Sequence, residues 1–338
     1  MSFRKNKVTE GQPASESEKV SSVQALKSVE NQLDWKDRFL RVVNALFILL
    51  LLVQLLPNHN SVNPKTAYLI GFAVILEAVV LLVSALIKNK TAHTLFIDII
   101  AFIYGLLILW TLATAKFNWL KESLFPPPGK VFAQFVEDGL KLLIHAGSSL
   151  AIVLEGYALG LAIAIPLGLF LGWSARLGSA ATYISKFFGS IPPIVYIPYG
   201  IALLPTFRSV SVFVIFLAAF WPAFAGTMSG VLHVEKRIID SARVLNVSKP
   251  TMLFKVILPA ALPEIFLGCN QGLGVSFILL TSAEMIGASR GIGFYVKQYS
   301  DFGDYTRTIV GLIVIGIVVV LITLLFNKLQ KYLLRWKR

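Results

Sequence analysis

Eight apolar stretches dominate this chain, each long enough to cross about 30 Å of hydrocarbon as a helix. They fall at about 39–57, 66–87, 95–115, 147–173, 179–204, 210–231, 261–286 and 306–327. A lipid-exposed backbone must satisfy its polar groups internally, so spans of this length and apolarity read as helices. The expected fold class is therefore an all-α integral membrane protein. Composition supports this: 14% of the 338 residues are charged, against roughly 25% in soluble domains. So few charges cannot cover the surface of a soluble enzyme. The single cysteine, Cys269, leaves no intrachain partner and excludes a disulfide scaffold. The fifth stretch carries Pro192, Pro193, Pro198 and Pro205 and is expected to be kinked or broken.

The net charge of +13 is first a question of topology. With the N-terminus inside, the cytoplasmic segments hold twenty Lys/Arg and the outer segments eight. The excess places both termini in the cytoplasm, in a multi-pass plasma (inner) membrane protein that contacts lipid. Nucleic acid is not expected as a partner. Residues 1–38 are polar, with seven Lys/Arg and six Asp/Glu, and read as a cytoplasmic tail with a short interfacial helix near Trp35. The apolar run begins too late for a signal peptide. In the outer loop, Pro126 to Pro128 close the third span. Val131, Phe132, Phe135, Val136, Leu140 and Leu143 then recur at helical spacing, as in an interfacial amphipathic helix.

The segment 232–260 is the longest internal polar stretch. Ile238, Ile239, Ala242 and Leu245 make one helical face, and Lys236, Arg237, Asp240 and Arg243 the other. Asn246 suits the left-handed position that ends a helix. Ser248 suits the N-cap of a second helix, with Pro250 in its first turn. The result is two short helices at an elbow, with Leu258 and Pro259 returning the chain to the membrane.

This pattern resembles the cytoplasmic "EAA" loop of ATP-binding-cassette (ABC) importer permeases. Asp240, Ser241 and Ala242 hold the Glu-Ala-Ala triplet, Asn246 the glycine, and Val256, Ile257, Leu258 and Pro259 the closing segment. From about 122 to 338 the chain is similar to the nitrate/sulfonate/taurine/bicarbonate branch. The segments that carry this are "LFPPPGKVFAQF", "IPPIVYIPYGIALL", "VILPAALPEIFLG", "SAEMIGASRGIGFYV" and Gly311 to Gly316.

The resemblance implies a six-span type I importer permease core, matched here to the third through eighth spans. Two extra N-terminal transmembrane helices bring the total to about eight. The implied domains are a tail at 1–38, the extra helices at 39–90 and the permease domain at 91–338. The implied function is to form the path of an ATP-driven importer of a small solute. The implied partners are a second permease chain, as in a homodimer, cytoplasmic ABC ATPase subunits and an extracytoplasmic solute-binding protein. The chain has no Gly-x-x-x-x-Gly-Lys-[Ser/Thr] loop, so it has no such device for holding ATP phosphates. It is expected to be no enzyme and to hold no cofactor, with ATP and Mg bound by the partner ATPase. The alternatives are a secondary transporter, expected to show paired broken spans, and an intramembrane enzyme, which needs a catalytic constellation that the sequence does not display. No metal-ligand spacing is seen. Members of the branch carry small oxyanions and sulfonates, and some carry pyrimidine precursors.

In the fourth span Gly156, Gly160, Ala164, Gly168 and Gly172 recur every fourth residue, a ridge for close helix packing. Ionisable residues within spans are functional suspects. Glu284 is a candidate for the pathway or gate, or for a structural bond to the 287–293 loop. Glu155 either faces the pathway or lies near the outer interface. Asn270, Gln271 and Ser276 give the seventh span a polar character that fits a pathway lining. No lysine or arginine is placed deep in a span on this reading, which argues against a tight anion site within the membrane.

Overall fold

The computed structural model describes residues 42–59, 64–87 and 89–337. The expected tail at 1–38, with its helix near Trp35, lies outside them. Every regular element among the described residues is helical. Packing divides the chain into two compact units, Met1–Phe132 and Ala133–Arg338.

The first unit contains α1 (Val42–Leu55), α2 (Thr66–Leu86) and α3 (Lys90–Lys116). Leu50, Val53, Ala73, Val80, Ile97 and Tyr104 pack into one apolar core. Asn89 caps α3 by accepting from the N–H groups of Thr91 and Ala92, two donors that the first helical turn would otherwise strand. At the other end, α3 widens into a π turn over Leu112–Lys116. The Lys116 ammonium is buried there. It donates to Gln54 O at 3.2 Å, Leu56 O at 2.7 Å and Asn58 Oδ1 at 2.8 Å. These groups lie at the C-terminal end of α1, where a cation complements the helix dipole. Glu77, midway along α2, is buried, and the Tyr104 hydroxyl donates to its Oε2 at 3.0 Å. The third expected span thus packs with the first two, so the division by packing falls at 132/133. The division expected from resemblance lies at 90/91.

That packing division falls within α4 (Pro128–Glu137). The expected interfacial helix is shorter than its apolar periodicity implied. Asp138 interrupts it, and Leu140 and Leu143 begin α5 (Gly139–Gly172), a helix of 34 residues.

The second unit continues with α6 (Ala175–Gly189), a 3₁₀ turn at Pro193–Tyr196, α7 (Ile197–Leu203) and α8 (Phe207–Leu232). Next come α9 (Lys236–Val244), α10 (Lys249–Gly287), α11 (Ile292–Asp301) and α12 (Tyr305–Leu333). Among the described residues, six helices are long and apolar enough to cross a membrane: α2, α3, α5, α8, α10 and α12. The other two expected spans take other forms. The first appears as α1, with 14 residues. The fifth breaks between Gly189 and Pro193, as its prolines require.

Helix α8 lies between α5 and α10, and glycines set both spacings. A methyl group on Gly160 would stand 2.9 Å from Ala219 Cβ and 3.0 Å from Phe216 O; one on Gly168 would stand 2.8 Å from Thr227 Cβ. Gly156 meets Val212 and Ile215, and Gly172 meets Val231, so the ridge of α5 seats against α8 of the same chain. Gly272 of α10 also faces Ala219, and Gly226 of α8 faces Gly268. Without Cβ atoms the backbones approach closely, and dispersion contacts replace the hydrophobic drive that lipid does not supply.

Candidate functional site

The elbow begins at Glu235. Along α9 only Ala242 is buried, packed with Met252, Leu253 and Ile257. Lys236, Arg237, Asp240 and Ser241 are exposed. Asp240 pairs with Arg243 at 3.2 Å, one turn along. Asn246 has φ 52°, the left-handed turn that its side chain tolerates, and its N–H donates to Arg243 O at 2.9 Å. The apolar face is only partly covered: Val244 is 81% exposed and Leu245 77%.

The second arm differs from expectation. It is not a separate short helix closed by Leu258 and Pro259, because residues 249–287 form one helix. The Ser248 hydroxyl meets Thr251 Oγ1 at 2.9 Å and makes no N-cap bond to the backbone. A π turn at Met252–Ile257 precedes Leu258 and Pro259. Pro259 brings no N–H to the ladder, and the widened turn accommodates that gap without ending the helix.

At the far end of α10, Glu284 is 1% exposed and both its oxygens are occupied. Ser149 Oγ donates to Oε1 at 2.7 Å, and the Gly293 N–H donates to Oε2 at 2.8 Å. The Ser149 hydroxyl also accepts from the Ile292 N–H at 2.8 Å, and His145 Nδ1 accepts from the Gly291 N–H at 3.1 Å. Three side chains thus take up three successive amides at the start of α11, donors that a helix leaves without internal partners. Gly291 sits at φ 125°, and a Cβ there would run into the Glu284 carboxyl, so glycine is required. Glu284 has the geometry of a structural bond to the 287–293 loop, one of the two roles its position allowed.

A second network lies beside it. Asp138 Oδ2 accepts from Arg307 Nε and from the Tyr295 hydroxyl, both at 2.8 Å. Arg307 also reaches Asp304 Oδ2 at 2.8 Å. Burial pushes the Asp138 carboxyl up, but the bonds from Arg307 and Tyr295 outweigh it and hold the group below the ordinary aspartate range. Burial and the bond to Asp138 push the Tyr295 phenol up.

The remaining pathway candidates separate. Glu155 is half exposed and pairs with Arg208 at 2.8 Å. Ser276 is fully buried and donates back to Gly272 O at 2.7 Å, on its own helix. Asn270 is half-buried. Gln271 is exposed and lines a cavity of about 460 Å³ with Lys186, Ser185, Ser190, Trp221 and Val275. Lys186 is a basic residue that the reading of the spans passed over. It falls inside the fifth stretch, on the last turn of α6, just before the break. The signal was present in the sequence, as a lone lysine within an apolar run interrupted by prolines. Among the described residues, no group of three His, Cys, Asp or Glu could hold a metal ion.

The model of the family described as binding-protein-dependent transport system inner membrane component matches residues 164–338. A probable ABC transporter permease protein of Brucella abortus is 36% identical over 190 residues, covering 56% of this chain and 76% of that protein. The taurine transport system permease protein of Escherichia coli is 30% identical over 238 residues, covering 68% and 86%. The bicarbonate transport system permease protein of Synechococcus elongatus is 29% identical over 250 residues, covering 70% and 88%. The match begins within α5 and takes in the broken helix, the elbow and α12, and by it the chain belongs to the family of binding-protein-dependent transport system inner membrane components.

Proposed function

We propose that this permease works as one of two identical copies in the inner membrane, with both termini in the cytoplasm, and that the α9 elbow is its contact with the ATPase. Membership of the family makes the chain the membrane component of an ABC importer of a small solute, and not the ATPase itself. ATP and Mg are held by the ATPase partner, and a solute-binding protein delivers cargo from outside. The six core spans are the third through eighth, α1 and α2 are additions to them, and lipid surrounds the whole.

The observation that carries the coupling reading is the form of the elbow. A nine-residue helix is anchored by Ala242 alone, and Val244 and Leu245 stand open beside a left-handed turn. A short helix with an uncovered apolar end and a charged flank fits a groove on a partner. Nucleotide-driven movement of that groove would pass to the spans through α10, as coupling between two sites.

Asp240→Arg reverses the charge on the exposed flank, and Val244→Asp places a charge at the apolar tip. Both should reduce the amount of ATPase that co-purifies with the permease, while membrane insertion is unchanged. Full ATPase content and full transport in both variants would show that this loop is not the contact.

A further inference from the structure

We infer that the cavity at the break between α6 and the 3₁₀ turn is a mid-membrane vestibule in which Lys186 binds the negatively charged group of the passing solute. The inference rests on the importer reading and adds to it a residue and a charge preference.

Depth is the first support. Lys186 lies eleven residues into α6, roughly 16 Å along the axis at 1.5 Å per residue, about half of the ~30 Å hydrocarbon core. Trp221 comes from the middle of α8 and Gln271 from the middle of α10. With α6 running inward from the cytoplasmic interface, as the importer reading has it, the three elements meet near mid-depth.

Charge is the second. Lys186 is the only ionisable side chain lining the cavity, and it has no ion-pair partner among the described residues. Its ammonium stands 6.0 Å from the ring centre of Tyr183. A charge at this depth is costly unless it meets water, a partner or a ligand. The C-terminal end of α6 carries a partial negative charge, about half an elementary unit, which offsets only part of the lysine.

Hydrogen-bonding capacity is the third. Ser185, Ser190 and Gln271 line the same cavity, and the helix break leaves backbone groups outside the regular ladder. Non-helical backbone at membrane depth is tolerated where it lines a water-filled space. A positive charge with neutral donors beside it fits the oxygen atoms of a small anion. Trp221 and Val275 add apolar wall.

The local field can be read without knowing the solute. In the intact permease–ATPase complex, Cys269, which is buried, is replaced by alanine, and Ser190→Cys places a thiol on the cavity wall. An anionic sulfonatoethyl thiosulfonate should label this thiol about tenfold faster than its trimethylammonium counterpart, as expected for a focused positive potential. Lys186→Gln should abolish the preference and Lys186→Arg should keep it. Nitrate, bicarbonate or taurine at millimolar concentration should slow labelling when Lys186 is present and not in Lys186→Gln. Equal labelling by both reagents, a preference that survives Lys186→Gln, or a thiol that neither reagent reaches in any nucleotide state would overturn the inference. Loss of ATPase-driven transport with the labelling preference intact would instead count against the importer reading, so the two failures are distinguishable.

Discussion

Replacing Glu284 tests whether the outer end of α10 is held by hydrogen-bond geometry or serves as a gate. The carboxyl accepts from Ser149 and from the Gly293 N–H in a site with almost no solvent contact. Glu284→Ala strands the Gly293 N–H, at about 1–3 kcal/mol for a buried unsatisfied donor. The vacated volume adds to this, for an expected loss of about 2–4 kcal/mol. Glu284→Gln can still accept from Gly293 through its oxygen and donate to Ser149 through its amide. One bond is exchanged, and the expected loss is about 1 kcal/mol. Ser149→Ala strands the Ile292 N–H by the same logic, and because the two residues share a network the double variant should lose less than the sum of the singles. Unfolding in mixed micelles, followed by tryptophan fluorescence, gives the free energies, and transport is measured on the protein that remains folded. Wild-type stability in Glu284→Ala would refute the clamp. So would a glutamine variant as unstable as the alanine one, because the clamp depends on the acceptor for the Gly293 N–H and not on the net charge.

Gly160→Ala should destabilise by about 1–3 kcal/mol, because its new methyl would stand 2.9 Å from Ala219 Cβ; Gly71→Ala, with no atom within 4 Å, should be neutral or slightly stabilising in the same unfolding assay. Because the Asp138 carboxyl is held below the ordinary aspartate value, its stabilisation is complete above about pH 3.9 and is lost as pH falls from there through the depressed folded value. Asp138→Asn should remove that acid limb, and an unchanged pH profile would count against the network. Lys116→Met removes three hydrogen bonds to the end of α1, so protease cleavage between α1 and α2 should speed up, while folding of the second unit, followed by its own core, should not change.

Hydropathy located the long helices because a bilayer imposes a length on every span and few other environments do. In the fifth stretch it ran α6, the 3₁₀ turn and α7 together, and the four prolines marked the break. The glycine ridge was visible as a spacing, but its partner was not, since no pattern within α5 specifies α8. Asn246 was legible from backbone chemistry alone: few residues accept φ 52°. The π turn was not, because Met252–Ile257 carries no residue that demands it and only the prolines downstream give it a purpose. Glu284 and Ser149 are 135 positions apart, a separation over which no local rule operates. Lys186 was legible as the one charged residue inside the fifth stretch.

Helix α10 has 39 residues, about 58 Å of axis at 1.5 Å per residue, nearly twice the hydrocarbon thickness. Since no loop interrupts it, the azimuth of the elbow is tied to that of the Glu284 end by helical phase. Removing one residue from the α-helical part, between Pro259 and Glu284, would shorten the axis by only about 1.5 Å but turn α9 by about 100° around it, swinging Val244 and Leu245 to another bearing. Removing three or four residues, about one full turn, would restore the bearing at a shallower depth. Across this stretch the chain should therefore tolerate changes of length in whole turns and resist single steps, the opposite of what a flexible connector would allow.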